Sequence, residues 1–143
     1  MATVVPVSSA IEINNAMGSL NPGDTLLMQN GVWNDQRISL HANGTAENPI
    51  VLIPETPGQV ILTGFSTLAF SGSYIEINGL NFTEGYSTGA GVIEFRRNGV
   101  RANHCRLTNT TIFQFNPSSI NSNYKWVSMY GQHNQVDHCY FAG

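Results

Sequence analysis

The chain has 143 residues and a mass of 15.6 kDa, enough for one domain with a core or for one segment of a longer domain. Charged residues make up 10% of the chain, against roughly 25% in ordinary soluble domains, which makes a coiled coil or an exposed helical bundle a poor fit. Six basic and nine acidic residues disfavour nucleic-acid binding, and no apolar run is long enough for a membrane-spanning helix.

One short helix is predicted near the start of the chain. The first ten residues lack the positive start and apolar centre of a signal peptide. Residues 8–18 begin with two serines that can cap a helix, carry Ile13, Ala16 and Met17 at helical spacing, and end at Gly18. A turn is predicted at residues 21–24, and short strands follow it at Thr25–Gln29, Arg37–His41, Pro49–Ile53 and Val60–Leu62.

The second half of the chain contains an internal repeat. Residues 75–82 resemble residues 100–107, and the second half of this unit returns at residues 137–141, with offsets of 25 and 34 residues. The same offsets align the strands at residues 68–70, 93–95 and 127–129. The longer second offset places an enlarged loop between Thr108 and Lys125, and such loops often form a wall of a binding groove.

Units of about 25 residues with short strands cannot bury a hydrophobic face alone, so they must stack on one another. The repeat therefore predicts an all-β fold, a parallel β-solenoid, with the short N-terminal helix capping its open end. Because side chains alternate along a strand, the offsets also predict which residues stack. These are Leu80, Cys105 and Cys139 in one interior column, Phe82, Leu107 and Phe141 in the next, and Asn78, Asn103 and Asp137 at one corner.

The two His-Cys pairs at residues 104–105 and 138–139 are possible zinc ligands by type. Adjacent residues of a strand point to opposite faces, so four such ligands cannot converge, and we expect no metal site. Buried free thiols are the expected state of Cys105 and Cys139, with a disulfide between stacked cysteines as the alternative.

A groove is predicted on the outward face of the repeated strand at residues 68–70, 93–95 and 127–129. Arg96 offers a bidentate fork for a carboxylate or sulfate, Tyr130 an aromatic face for a sugar ring, and Lys125 lies just before the strand of Tyr130. An ordinary solvated face is the alternative. Glu94 has no acidic neighbour in its column, which argues against a two-carboxylate hydrolase. The outward column is Ala69, Glu94 and Ser128, then Ser71, Arg96 and Tyr130.

Several runs in order resemble the alginate lyase and chondroitinase B family of polysaccharide lyases, family 6. The resemblance covers nearly the whole chain, and its last two runs are the most specific. The runs are NPGDT at 21–25, NGVW at 30–33, GTAENPI at 44–50, ETPG at 55–58, NGLNF at 78–82, YKWVSMYG at 124–131 and NQVDHCYFAG at 134–143.

This resemblance implies a right-handed parallel β-helix that cleaves an acidic polysaccharide, such as alginate, by β-elimination. In the family a calcium ion held by one Asn and two Glu neutralises the uronate carboxylate, a Lys removes the C5 proton, and an Arg acts as the acid. These groups belong to later coils, so no catalytic residue or calcium ligand is assigned in this chain. Lys125 precedes its strand, whereas the family's base follows one, so it is expected to bind substrate with Arg96 and Tyr130.

We therefore expect residues 1–143 to be the N-terminal coils of a β-helix domain that continues beyond Gly143. The resemblance implies a secreted or periplasmic protein. An open end of the solenoid exposes apolar side chains, so the chain alone is expected to be poorly stable, to aggregate, or to pair with a complementary C-terminal chain. A non-catalytic carbohydrate-binding or structural module, and a hydrolase on the same scaffold, remain as alternatives.

Overall fold

The computed structural model describes residues 2–88, 91–117 and 125–143, and these form a parallel β-solenoid of about four turns with one short helix. The fold class expected from the repeat is thus confirmed. The helix is α1 (Ala10–Ala16), and the strands are β1 (Val4–Val7), β2 (Thr25–Met28), β3 (Gly31–Asn34), β4 (Arg37–Asn43), β5 (Ile50–Pro54), β6 (Val60–Gly64), β7 (Thr67–Ser73), β8 (Ile75–Asn78), β9 (Asn81–Gly85), β10 (Gly91–Glu94), β11 (Arg96–Arg97), β12 (Val100–Asn103), β13 (Arg106–Thr108), β14 (Thr111–Phe113), β15 (Lys125–Ser128), β16 (Gln135–Asp137) and β17 (Tyr140–Ala142).

The strands stack into three sheets. Sheet A has the order β1-β2-β5-β8-β13-β16, and sheet B has the order β3-β6-β9-β14-β17. In sheet C, β4 pairs with the whole of β7, whose first half then pairs with β10 and whose second half pairs with β12; β10 continues to β15. These pairings are parallel, and the antiparallel exception is the small hairpin of β11 and β12.

The predicted helix and the four predicted strands are present, with bounds shifted by at most a few residues. Ser9 caps α1 by accepting a hydrogen bond from the Glu12 N–H at 3.2 Å, and the Glu12 carboxylate accepts one from the Ser8 N–H at 2.8 Å. A 3₁₀ turn at Met17–Ser19 follows the helix. Ile13 is fully buried and α1 packs against β4, so the helix covers the first coil as expected.

The turn at residues 21–24 joins the first strand to the solenoid. The carboxylate of Asp24 accepts hydrogen bonds from the N–H groups of Asn21 and Thr3, both at 2.8 Å. These two backbone donors hold the pKa of Asp24 below its ordinary value. The N-terminal strand β1, which the sequence did not predict, therefore pairs with β2 across a fixed turn.

The core consists of apolar columns that run through successive coils. Because strands alternate their side chains between two faces, each inward position meets its equivalent in the next coil. Phe70 and Phe95 add a ring contact with a centroid distance of 4.6 Å. The columns are Leu26, Leu52, Ile77, Leu107 and Val136 in sheet A, Trp33, Leu62, Phe82, Ile112 and Phe141 in sheet B, and Ile38, Leu68, Ile93 and Val127 in sheet C.

The predicted register is right in one strand family and wrong in the other. In sheet C, Ile93 pairs with Leu68 and Val127, as the offsets of 25 and 34 require. In sheet A, Leu107 pairs instead with Ile77, 30 residues earlier. The predicted Phe82, Leu107 and Phe141 column is therefore wrong, since Leu107 lies in a different sheet from the other two.

The hairpin of β11 and β12 causes the error. The hairpin, whose turn has positive φ at Asn98 and Gly99, adds five residues between the part of the coil that pairs at offset 25 and the part that pairs at offset 30. Each coil also has two similar corners five residues apart, with positive φ at His104 and again at Asn109. The alignment of the internal repeat matched one kind of corner to the other, and the five residues added by the hairpin concealed the mismatch.

The corrected register separates the two cysteines. Cys105 follows the corner of His104 and donates its backbone N–H to the side-chain amide oxygen of Asn134, whereas Cys139 precedes Tyr140, whose N–H donates to the Thr110 carbonyl. Both thiols are free, so the predicted cysteine column and the disulfide alternative are wrong. The three residues predicted to share one corner lie at two different corners. Asn78 shares its position with Thr108 and Asp137, while Asn103 shares one with Asn43 and Ser73.

A column of small residues closes one corner of sheet C. Ala102 pairs with Gly72, which pairs with Ala42. A Cβ on Gly72 would lie 1.9 Å from the Ala42 carbonyl oxygen, and one on Gly131 would lie 1.9 Å from the Ala102 carbonyl oxygen. Both glycines have positive φ, 113° and 87°, so only glycine fits these two positions.

The predicted enlarged loop lies only partly within the described residues. The segment from Thr108 to Lys125 contains strand β14, and its residues 118–124 are outside the described ranges.

Candidate functional site

The outward face of sheet C carries the column that the sequence predicted. Glu94 pairs in register with Ala69 on one side and with Ser128 on the other, and Ser39 extends the column toward the N-terminus. The column thus spans four coils and runs along the axis of the solenoid. Such a continuous ladder is suited to an extended ligand.

Arg96 and Tyr130 come together at one edge of this face. Arg96 is in β11 and Tyr130 follows β15, yet the guanidinium carbon lies 4.2 Å from the centroid of the tyrosine ring. The Glu94 carboxylate is 3.9 Å from the nearest guanidinium nitrogen, too far for a direct hydrogen bond. The Arg96 side chain is 44% exposed, so the ring orients the guanidinium while its N–H groups stay available to a carboxylate.

Ser71 does not contribute to the accessible face. It is fully buried, and its hydroxyl lies 2.8 Å from Nδ1 of His41. The hairpin packs against β7 and β4, and Arg97 donates from Nε to the Ser39 hydroxyl. The expectation of an open Ser71, Arg96 and Tyr130 column is therefore wrong at Ser71, because the hairpin occupies this part of the sheet.

Lys125 lies apart from the other two predicted residues. It begins β15, where it is exposed and pairs in register with Gly91. Tyr130 is five residues further along, about 17 Å in an extended strand. The structure therefore places Lys125 toward one end of the strands of sheet C and the pair of Arg96 and Tyr130 toward the other end.

Positive charge is concentrated on sheet C. The chain has six basic residues, and five of them lie in strands of this sheet, whose single acidic residue is Glu94. The sequence analysis did not single out three of these, because Arg37 joins the sheet through the pairing of β4 with β7, and Arg97 and Arg101 join it through the hairpin. The five are Arg37, Arg96, Arg97, Arg101 and Lys125.

The sixth basic residue, Arg106 in sheet A, is paired. Its Nη2 lies 2.9 Å from the Asp137 carboxylate, and its Nη1 lies 3.7 Å from that of Glu76. The hydrogen bonds from Arg106 lower the pKa of Asp137 to about 2. This ladder crosses three coils and has a structural role.

A cavity of about 220 Å³ opens on the outward face of sheet C. Its base is formed by β4, β7 and β10, and one wall is formed by Ser87 and Thr88. Arg37 donates from Nη2 to the Thr88 hydroxyl at 3.1 Å, and Ser87 donates to the Gly91 carbonyl at 2.9 Å. Ser87 and Thr88, at the start of the connection between β9 and β10, are therefore each hydrogen-bonded to a strand of the sheet.

The described residues offer no metal centre. No group of three or more His, Cys, Asp or Glu side chains comes together within residues 2–88, 91–117 and 125–143. The calcium ion that the family resemblance implies finds no carboxylate set in this part of the chain. Burial raises the pKa of both cysteine thiols, as expected for packing residues rather than for nucleophiles.

In the described ranges, no helix has both the length and the apolar character needed to cross a bilayer.

The family model for chondroitinase B matches residues 7–143. The PL6 family alginate lyase AlyGC superposes with a TM-score of 0.93 at 37% identity, over 98% of this chain and 19% of that one. The PL6 polysaccharide lyase Pedsa3628 from Pseudopedobacter saltans gives 0.89 at 36% identity, over 97% and 31% of the two chains. A mannuronic acid specific family 6 lyase from human gut microbiota gives 0.87 at 28%, over 99% and 34%.

No curated protein sequence matches the chain significantly. The chain spans about a fifth to a third of the length of these solved relatives. The family match covers nearly all of its residues, and the solenoid with its cation-rich sheet superposes closely on lyases of known structure. The chain belongs to the chondroitinase B family of polysaccharide lyases, family PL6.

Proposed function

We propose that this chain forms coils of a lyase that cleaves a uronate-containing polysaccharide, most directly alginate, by β-elimination. The family assignment supports a lyase role. Two of the similar structures are an alginate lyase and a mannuronic acid specific lyase, and both of these substrates belong to the uronate class.

The observation that carries the proposal is the concentration of positive charge in the strands of sheet C. A polyuronate has one carboxylate on every sugar unit, so its binding surface needs repeated positive groups along one direction. Arg96 fits this need, because its guanidinium is oriented by Tyr130 and remains exposed. Lys125, at the opposite end of the strands of sheet C, is proposed as a second contact to the polymer.

The proposed role of the described residues is to bind and orient the polymer. Elimination requires neutralisation of the uronate carboxylate and a base for the C5 proton. Among the residues described here, no group of His, Cys, Asp or Glu side chains could hold calcium, so we derive no chemical step from them. Calcium, a catalytic lysine and a catalytic arginine are proposed for the complete protein, and residues 1–143 alone are proposed to be inactive.

A polymeric substrate of this kind occurs outside the cytoplasm, which supports a secreted or periplasmic protein as part of the proposal. The apolar side chains of the last coil, among them Trp126, Val136 and Phe141, are only partly buried. This supports a polypeptide partner for that end of residues 1–143, in addition to the polysaccharide.

The test is to incubate the complete gene product, and separately residues 1–143, with alginate and calcium. β-Elimination forms an unsaturated uronate whose ultraviolet absorbance rises with each cleavage. We expect a rise for the complete product and none for residues 1–143. Binding without the chromophore would instead establish a carbohydrate-binding module, and new reducing ends without the chromophore would establish a hydrolase. Either result would overturn the proposal.

A further inference from the structure

We propose that the cavity beside Arg37 is a subsite that binds one acidic sugar unit of the same polymer, while the pair of Arg96 and Tyr130 binds another. The inference rests on the proposed function and adds a second point of attachment to it. Its ligand is a sugar that carries a carboxylate.

The cavity presents an oriented positive group. The Arg37 guanidinium is held through its Nη2 by the Thr88 hydroxyl at 3.1 Å, which fixes its direction and leaves other N–H donors available. Glu94 is the one acidic residue among those lining the cavity, and it lies within 3.9 Å of Arg96. A ligand carboxylate therefore meets Arg37 at one side, while sugar hydroxyls can donate to Glu94 at the other.

The remaining lining suits a sugar ring. Thr67 and Thr88 add hydroxyls, and Ala69 and Leu68 add a small apolar floor. A volume of about 220 Å³ suits a single ring better than the larger pockets of drug-sized ligands, about 300 Å³ and above. Polar edges around a short apolar floor match the alternating hydroxyl and C–H faces of a pyranose.

Beside the cavity lies a buried hydroxyl that lacks a partner. Ser128 follows Glu94 in the outward column, and its Oγ is buried without a hydrogen-bond partner among the described residues. A Cβ on Gly91, which lines the cavity, would lie 3.2 Å from this oxygen. Gly91 thus packs closely against this hydroxyl, and a side chain at residue 91 would crowd both Ser128 and the cavity.

The cavity and the pair of Arg96 and Tyr130 are neighbours on sheet C, because Glu94 lines the cavity and also lies 3.9 Å from Arg96. Arg37 is at the far side of the cavity. It lies three coils before the strand that precedes Tyr130, about 14 Å along the axis, and in register four residues before Tyr130, about 13 Å along the strands. An oligomer must therefore extend over more than one sugar unit to reach both places.

The test compares uronate oligomers of two to eight units as substrates of the complete protein. We expect kcat/KM of the unchanged protein to rise with length until an oligomer can reach both places. Arg37→Ala should abolish most of this rise, lowering kcat/KM about tenfold for the octamer and little for the dimer. Thr88→Ala should give the same length-specific loss with a smaller amplitude, because it removes only the hydroxyl that orients Arg37.

Arg101→Ala is the matched control, since it removes the same charge from an exposed position of the hairpin away from the cavity lining. A general electrostatic effect lowers kcat/KM by a similar factor at every length, and we expect this pattern for Arg101→Ala alone. If Arg37→Ala also acts equally at every length, or not at all, the subsite is refuted while the proposed function stands. If the unchanged protein neither cleaves nor binds uronate oligomers of any length, the proposed function itself fails.

Discussion

Replacement of Arg96 by alanine should weaken substrate binding and leave the chemical step nearly unchanged. The Arg96 side chain is 44% exposed and its nearest carboxylate is 3.9 Å away. The guanidinium therefore breaks no direct hydrogen bond to that carboxylate when it binds a uronate carboxylate. A hydrogen bond to a charged group contributes about 1.5–3 kcal/mol, which corresponds to a KM increase of roughly tenfold to a hundredfold. We expect kcat to change by less than about threefold.

Tyr130 permits a second test of the same geometry. Tyr130→Phe keeps the ring beneath the guanidinium and removes only the hydroxyl, so it should raise KM less than Arg96→Ala does. Tyr130→Leu also removes the ring, and an exposed cation–π contact contributes about 0.5–1 kcal/mol. Together with Arg96→Ala, it forms a double-mutant cycle whose coupling free energy should fall in that range.

The assay is the initial rate of chromophore formation over a range of alginate concentrations, with the complete protein and calcium. Circular dichroism confirms that each variant is folded, and Arg101→Ala controls for the loss of one positive charge. Equal and large losses in kcat and kcat/KM would place Arg96 at the reacting atoms and refute its assignment to binding. An unchanged KM would show that the residue does not contact the substrate.

Further predictions concern the scaffold. Gly72→Ala should prevent folding or cost several kcal/mol, about 1–2 kcal/mol of it from positive φ alone, because its Cβ would overlap the Ala42 carbonyl oxygen. Gly58→Ala, also at positive φ but with no atom within 4 Å, should cost about 1–2 kcal/mol in thermal denaturation; equal costs would contradict this argument. Asp137 stabilises the fold above its unfolded pKa near 3.8, and this stabilisation is lost as the pH falls toward about 2. Asp137→Asn should therefore show a smaller loss of stability over that pH range, and an identical loss would exclude the ion pair with Arg106 as its source. Both cysteines should titrate as free thiols in the unfolded protein without reductant, and a Tm that depends on reductant would contradict the structure.

The sequence was sufficient for the fold and for part of the face that we propose as a binding surface. Strand periodicity and the repeat gave a stacked solenoid, and the offsets of 25 and 34 correctly placed Glu94 between Ala69 and Ser128. Glu94 lies before the hairpin, where the offset is unambiguous. Arg96 is the first residue of the hairpin and still keeps the offset of 34 to Tyr130, so their proximity could be predicted as well.

The remaining errors have a common cause. Positive-φ corners favour the same few residue types, so the sequence around His104 resembles that around His138, although the two are different corners. The five residues that the hairpin adds then made the two different corners align at the same offset as the strands of sheet C. The burial of Ser71 depends on tertiary packing of that hairpin, and the concentration of Arg37, Arg97 and Arg101 on one sheet depends on the corrected register.

The column of Ala42, Gly72, Ala102 and Gly131 has a consequence for engineering the scaffold. Its two glycines have positive φ and its two alanines do not, so the backbone at this corner returns to the same conformation only after two coils. The unit that can be duplicated or removed is therefore a pair of coils. Shortening such a protein by one coil would stack alanine on alanine or glycine on glycine in this column, whereas shortening it by two coils would preserve their alternation.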